Sequence, residues 1–166
     1  MATNVLTTIN GKPFNNDGTL NLYIGCRAHN DAIQSIPNST STALTFNTEA
    51  FDTDAIHSTT TNTSRFTVPS GKGGKWRAIY KASYGAGGVG EKILFLNVNG
   101  ADVLGSAVNR QDTPRGTLHG TMTLTLAAGD IVEARVFHAT GAALNFGNTS
   151  ADSGFMNWFE IEYLGT

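Results

Sequence analysis

Apolar and polar residues alternate in short runs along this chain, and the runs break at glycine, asparagine or aspartate. In 75–84, Trp76, Ala78, Tyr80 and Ala82 share one side of an extended segment; Arg77, Ile79, Lys81 and Ser83 share the other, which reads as mostly solvated. In 118–126 the alternation is strict, with Leu118, Gly120, Met122, Leu124 and Leu126 set against His119, Thr121, Thr123 and Thr125. Ile93, Leu94, Phe95, Leu96, Asn97 and Val98 form a run typical of a buried strand. It stops at Asn99-Gly100, a pair that tolerates positive φ and predicts a tight hairpin into 101–104. Further strands are expected at 23–28, 43–47, 65–68, 131–138 and 155–164, the last rich in aromatic residues. Thr, Asn and Gly interrupt every window in which a helical period could build, so no helix is predicted. About eight to ten short strands without helices describe a sandwich, a jelly roll or a barrel, and periodicity does not choose among them.

The beginning of the chain has a different pattern. Val5 to Ile9 reads as extended, Asn10-Gly11 and 15–18 as turns, and 19–24 as a return to alternation. So short a piece has too little apolar surface to fold alone and needs a partner, whether its own body, sister subunits or another protein. The chain therefore divides into a leader, 1–22, and one β domain, 23–166, with no second hydrophobic centre.

Composition narrows the function classes. Of 166 residues, 22 are Thr, 19 Gly, 15 Asn and 10 Ser, while only 14% are charged, so the chain is polar yet nearly uncharged. With 9% aromatic residues and a net charge of -2 it lacks the signature of disorder. Eleven basic residues against thirteen acidic ones leave no electrostatic footprint for nucleic acid. No apolar run approaches the roughly 18 residues of a membrane span, and the first ten residues show neither a basic nor an apolar region of a secretory signal. The lone Cys26 excludes an internal disulfide and a four-cysteine zinc site, and its expected role is a small buried apolar residue.

Candidate chemistry is sparse. Residues 85–90 satisfy the GxGxxG spacing, but residues 91–98 read as a strand, so no helix N-terminus is there to meet a phosphate. Lys72-Gly73-Gly74-Lys75 runs into Trp76 where a phosphate loop needs Ser or Thr. His29, His57, His119 and His138 are scattered singly, none at metal-ligand spacing with another, and read as structural or solvated. Asp52 and Asp54 flank Thr53; they are weak calcium candidates, with turn formation as the alternative reading. Asn38, Asn62 and Asn148 begin glycosylation patterns at a frequency that chance explains. Nothing forms a catalytic order or a pair of buried carboxylates, so a non-enzyme is expected.

Four segments in order carry a resemblance. Ser64-Arg65-Phe66-Thr67-Val68-Pro69-Ser70-Gly71 leads into a strand with Trp76 and Tyr80. Leu96-Asn97-Val98-Asn99-Gly100 comes second, then Leu124-Thr125-Leu126-Ala127-Ala128-Gly129-Asp130-Ile131-Val132, then Asn145-Phe146-Gly147 and the closing segment through Leu164. Together they resemble the globular heads of the complement-1q and tumour-necrosis-factor-like families, over about 36–165. That resemblance implies a ten-stranded, two-sheet jelly roll assembled as a homotrimer. The closing aromatics Phe155, Trp158, Phe159 and Tyr163 then have two readings, as sandwich core or as trimer-interface residues. In the leader, Thr8-Ile9-Asn10-Gly11-Lys12 and Gly18-Thr19-Leu20-Asn21-Leu22 look like a segment of bacteriophage tail and head fibres. The combined expectation is a non-enzymatic homotrimer on a bacteriophage virion surface. Its leader would bind other virion proteins, and its head would bind a host receptor or glycan or decorate the capsid. The alternative is a secreted carbohydrate-binding, lectin-like module of the same fold. Neither needs a cofactor unless calcium sits at Asp52 and Asp54.

Overall fold

The computed structural model describes residues 23–111, 115–147 and 156–166, with the backbone of Thr8–Ile9 and Lys12–Pro13. In the leader, β1 (Thr8–Ile9) and β2 (Lys12–Pro13) pair antiparallel. The rest of the leader, including the expected turns at Asn10-Gly11 and 15–18, lies outside the described residues. The body runs through β3 (Gly25–Asn30), β4 (Gln34–Ile36), β5 (Thr42–Ala43), β6 (Thr48–Asp52), β7 (Phe66–Thr67), β8 (Gly74–Tyr84) and β9 (Glu91–Val98). It continues through β10 (Ala101–Asp102), β11 (Val108–Arg110), β12 (Gly116–Leu126), β13 (Ile131–Ala139), β14 (Leu144–Phe146) and β15 (Asn157–Gly165). Among the described residues there is no helix.

These strands form two antiparallel sheets. The seven-stranded sheet has the order β4-β14-β8-β15-β3-β6, with β12 on the other side of β8. The six-stranded sheet has the order β10-β9-β13-β5, with β11 beside β9 and β7 beside β13. Sequential neighbours such as β8 and β9 lie in opposite sheets, and β15 returns to lie between β3 and β8. The ten expected strands appear as more because β4, β5, β7, β10, β11 and β14 are pieces of two or three residues, all but β4 paired with a long strand and β4 paired with β14.

Burial tracks the alternation. Trp76, Ala78, Tyr80 and Ala82 of β8 face Leu94 and Leu96 of β9 and Val132, Ala134 and Val136 of β13 across the sandwich, all buried. Phe46, Phe66 and Phe159 form the aromatic centre, with Phe66 4.5 Å from Phe159 and 5.7 Å from Phe46. Cys26 is fully buried on β3. Asn99 and Gly100 have φ of 53° and 88°, the two left-handed positions that a type I′ hairpin requires, and Val98 pairs with Ala101 across them.

Two sequence expectations change. Ser83 is buried, not solvated. Its N–H donates to Asn157 Oδ1 at 2.9 Å and its carbonyl accepts Gly147 N–H at 2.8 Å, because β8 there passes from pairing with β15 to pairing with β14. The run 93–98 is not buried throughout. Leu94 and Leu96 point inward while Ile93 and Phe95 are half-buried on the opposite face, because a sandwich strand has only one side against the core. The same register places Lys92 in the core.

Candidate interaction surface

The outward face of the seven-stranded sheet carries a group of charged, imidazole and indole side chains. Residue pairing lines up three rows across it. His29 on β3, Trp158 on β15, Lys81 on β8 and His119 on β12 are successive neighbours in the first. Arg27, Glu160, Ile79 and Thr121 form the second, and Glu162, Arg77 and Thr123 continue the third. Arg77 and Glu162 form an ion pair. The Arg27 guanidinium lies over the Trp158 ring, 4.6 Å from its centroid, and its Nε is 3.9 Å from Glu160 Oε2. His119 stands 5.7 Å from the same indole. Arg27, His29, Ala50, Lys81, Met156 and Trp158 enclose a hollow of about 370 Å³. Desolvation, with the Arg27 charge adding, pushes the Lys81 ammonium below its usual pKa.

At one end of this face Tyr23 packs edge-on against Phe51, and its hydroxyl is 3.5 Å from Glu160 Oε1. Burial, with Glu160 and Glu162 adding, pushes its pKa up to about 12. At the opposite side β12 forms the margin of the sheet. It pairs with β8 over eleven residues without a bulge, and among the described residues with no other strand. Its outward residues are His119, Thr121, Thr123 and Thr125.

The sequence candidates separate clearly. Trp158 is half-buried on the outward face. Phe159, its neighbour in sequence, is fully buried in the aromatic centre, because adjacent strand residues face opposite ways. Tyr163 packs on Trp76 at 5.2 Å, and its hydroxyl donates to Gly73 O at 3.3 Å, at the end of the core. Phe155 lies outside the described residues.

Asp52 works as a turn residue: Oδ1 accepts the N–H groups of Asp54 and Ile56 at 3.2 and 3.0 Å, and Oδ2 that of His57 at 2.9 Å. Asp54 Oδ2 accepts the Thr53 hydroxyl at 2.7 Å. Among the described residues no three His, Cys, Asp or Glu side chains gather as metal ligands. His57 and His138 are buried tethers. His57 Nδ1 and Nε2 lie 2.9 Å from Glu49 Oε1 and 3.0 Å from Thr63 O, and His138 Nε2 lies 2.9 Å from Ile36 O. Residues 85–90 link β8 to β9, a strand where a dinucleotide site needs a helix.

The first row, with His29 and His119 joining Trp158, was not visible in the sequence. It depends on pairing between strands that are far apart along the chain. A second hollow, of about 400 Å³ and apolar, lies on the six-stranded sheet between Ile93, Phe95, Phe137 and the 103–107 loop, whose Leu104 is 92% exposed.

No protein-family model matches this chain, and no curated protein matches its sequence. Solved structures do match its fold. Murine APRIL is 12% identical with a TM-score of 0.59, over 86% of this chain and 99% of that one. The globular domain of zebrafish complement 1qA is 14% identical with a TM-score of 0.56, over 86% and 98%. Eiger TNF from S. frugiperda is 13% identical with a TM-score of 0.58, over 86% and 93%. The fold is therefore a jelly roll of the tumour-necrosis-factor and complement-1q type, as the four sequence segments had indicated.

Proposed function

We propose that this chain is a non-enzymatic, homotrimeric head on the surface of a bacteriophage virion, with the leader holding other virion proteins and the jelly roll attaching the particle to its host or stabilising the capsid. The observation that carries self-association is the β12 margin. An eleven-residue strand that, among the described residues, pairs with a strand on one side only is a template for further pairing. Soluble proteins blunt such margins with lysine, proline, bulges or short length. β12 has none of these: its outward residues are one histidine and three threonines, and its register is unbroken. Neighbouring subunits that cover it remove the hazard. The resemblance to complement-1q and tumour-necrosis-factor-like heads supports three as the number, and the leader's likeness to phage fibre segments supports the setting.

Light scattering tests the assembly. A mass near three times 17.5 kDa is expected, and Thr121→Lys with Thr123→Pro should bring it to a single chain; a wild-type mass of one chain overturns the assembly. Immunogold labelling of purified virions tests the setting, with unlabelled particles overturning it. Particles lacking the protein then separate the two roles, since a decorating head is lost as heat-sensitive capsids and an attaching head as poor adsorption.

The hollow beside Trp158 favours one second reading, a secreted carbohydrate-binding module of the same fold, which would bind sugar with no particle present. Neither reading requires a cofactor. Calcium at Asp52 and Asp54 would reveal itself as a melting midpoint raised by the ion and restored by chelator.

A further inference from the structure

The first row of the seven-stranded sheet brings together side chains that no element of the fold requires. Trp158 faces outward and half-buried, although the aromatic centre is complete without it. The Arg27 guanidinium sits over its indole, and among the described residues its other charged contact is a single 3.9 Å approach to Glu160. A guanidinium held over a ring is positioned by it and keeps a fork of N–H donors with which to meet a planar acceptor. His29 and Lys81 border the same hollow, and Ala50 and Met156 complete an apolar wall. Arg27, His29, Lys81 and His119 face this area from β3, β8 and β12, against Glu160 beside Arg27 and Glu162, which is paired with Arg77. About 370 Å³ suits one six-membered ring and its substituents, not an extended chain.

We propose that this hollow is a binding site for a carboxylate-bearing sugar, whose acid group takes the N–H edge of Arg27 and whose ring packs against Trp158, Ala50 and Met156. The attachment role proposed above supplies the biological reason for such a ligand, and the inference rests on that reading for its purpose. The geometry itself depends only on one subunit.

Fluorescence provides the test, because the chain has two tryptophans and Trp76 is fully buried. The methyl glycosides of N-acetylneuraminic acid and of glucuronic acid are titrated into the full chain. At least one is expected to change the Trp158 emission saturably. Methyl glucoside, which lacks the carboxylate, and an aspartyl-glutamate dipeptide, which lacks the ring, are expected to bind at least tenfold more weakly. Arg27→Gln, on a side chain 44% exposed and outside the core, should cost at least tenfold in affinity with the melting midpoint unchanged, and Arg27→Lys should recover part of it. No saturable change with either acidic sugar, equal binding of the neutral sugar or the dipeptide, or indifference to Arg27→Gln overturns the site. Light scattering on the same samples keeps the two proposals apart. A trimer that ignores acidic sugars sinks the site alone, and a single chain that binds them sinks the assembly alone.

Discussion

Lys92 carries an ammonium into the sandwich, where its Nζ donates to Gly88 O at 3.1 Å and Gly90 O at 3.0 Å and lies 5.2 Å from the centre of the Tyr84 ring. A side chain with no exposed surface is thus anchored to the loop between β8 and β9. Lys92→Ala removes the stem and strands two carbonyls, and should lower unfolding free energy by about 2–4 kcal/mol in urea titrations. Lys92→Met keeps the stem and should lose clearly less. The position was legible in part: period two from Leu94 and Leu96 points Lys92 inward. A lysine ahead of an apolar run also reads as a strand end in water, and only the loop carbonyls above it decide between the two. Tyr23 titrates in the opposite sense to a depressed carboxylate. Its folded pKa of about 12 lies above the unfolded value of 10.0, so the folded chain holds a proton that the unfolded chain releases. Its contribution to stability is complete below pH 10.0 and is lost as pH rises toward 12. The phenolate absorbance that disappears in Tyr23→Phe should titrate late in the wild type and earlier in Glu160→Gln.

Among the elements, β8 and β12 are the pair that the sequence described best, since both alternate over their whole length. The pattern could not foretell that Gly120 stands opposite Tyr80. A Cβ at that glycine would lie 2.5 Å from the Tyr80 ring, whose hydroxyl donates to Ser106 O at 2.5 Å. The glycine makes room for the tyrosine, and the tyrosine reaches across the sandwich to fix the loop between β10 and β11. Gly120→Val should cost about 1–3 kcal/mol by crowding the ring, although valine suits strands better than glycine; chemical denaturation of the variant checks the sign. The Asn99-Gly100 hairpin was readable from two residues because its geometry is local. The short strands β5 and β7 fall at or inside the expected strands 43–47 and 65–68, but their pairing was not readable, because their partners lie in β13, about ninety and sixty-five residues away along the chain.

For the whole molecule, the layering came from alternation, and the choice of jelly roll came from the order of the four segments. The shared outward face was hidden because it joins residues from β3, β8, β12 and β15, and the sequence does not state which strands are neighbours. If β12 margins are covered by sister subunits, stability must depend on concentration: the melting midpoint should rise by several degrees on a hundredfold increase in protein. It should stop doing so in the doubly substituted Thr121→Lys, Thr123→Pro chain. A midpoint independent of concentration in a single-chain wild type would leave β12 as an uncovered margin, prone to aggregate.

Cys26 provides a clock for the opening of this body. It is the chain's one thiol, it sits on β3 between β15 and β6 with no exposed surface, and burial together with Asp52 and Glu49 pushes its pKa upward, away from the reactive thiolate. A thiol reagent therefore finds nothing to attack while the sheets are closed. The rate at which it consumes Cys26 counts the moments at which the seven-stranded sheet comes apart. An added surface cysteine would meanwhile label at once, giving a unique handle on a protein otherwise silent to sulfur chemistry.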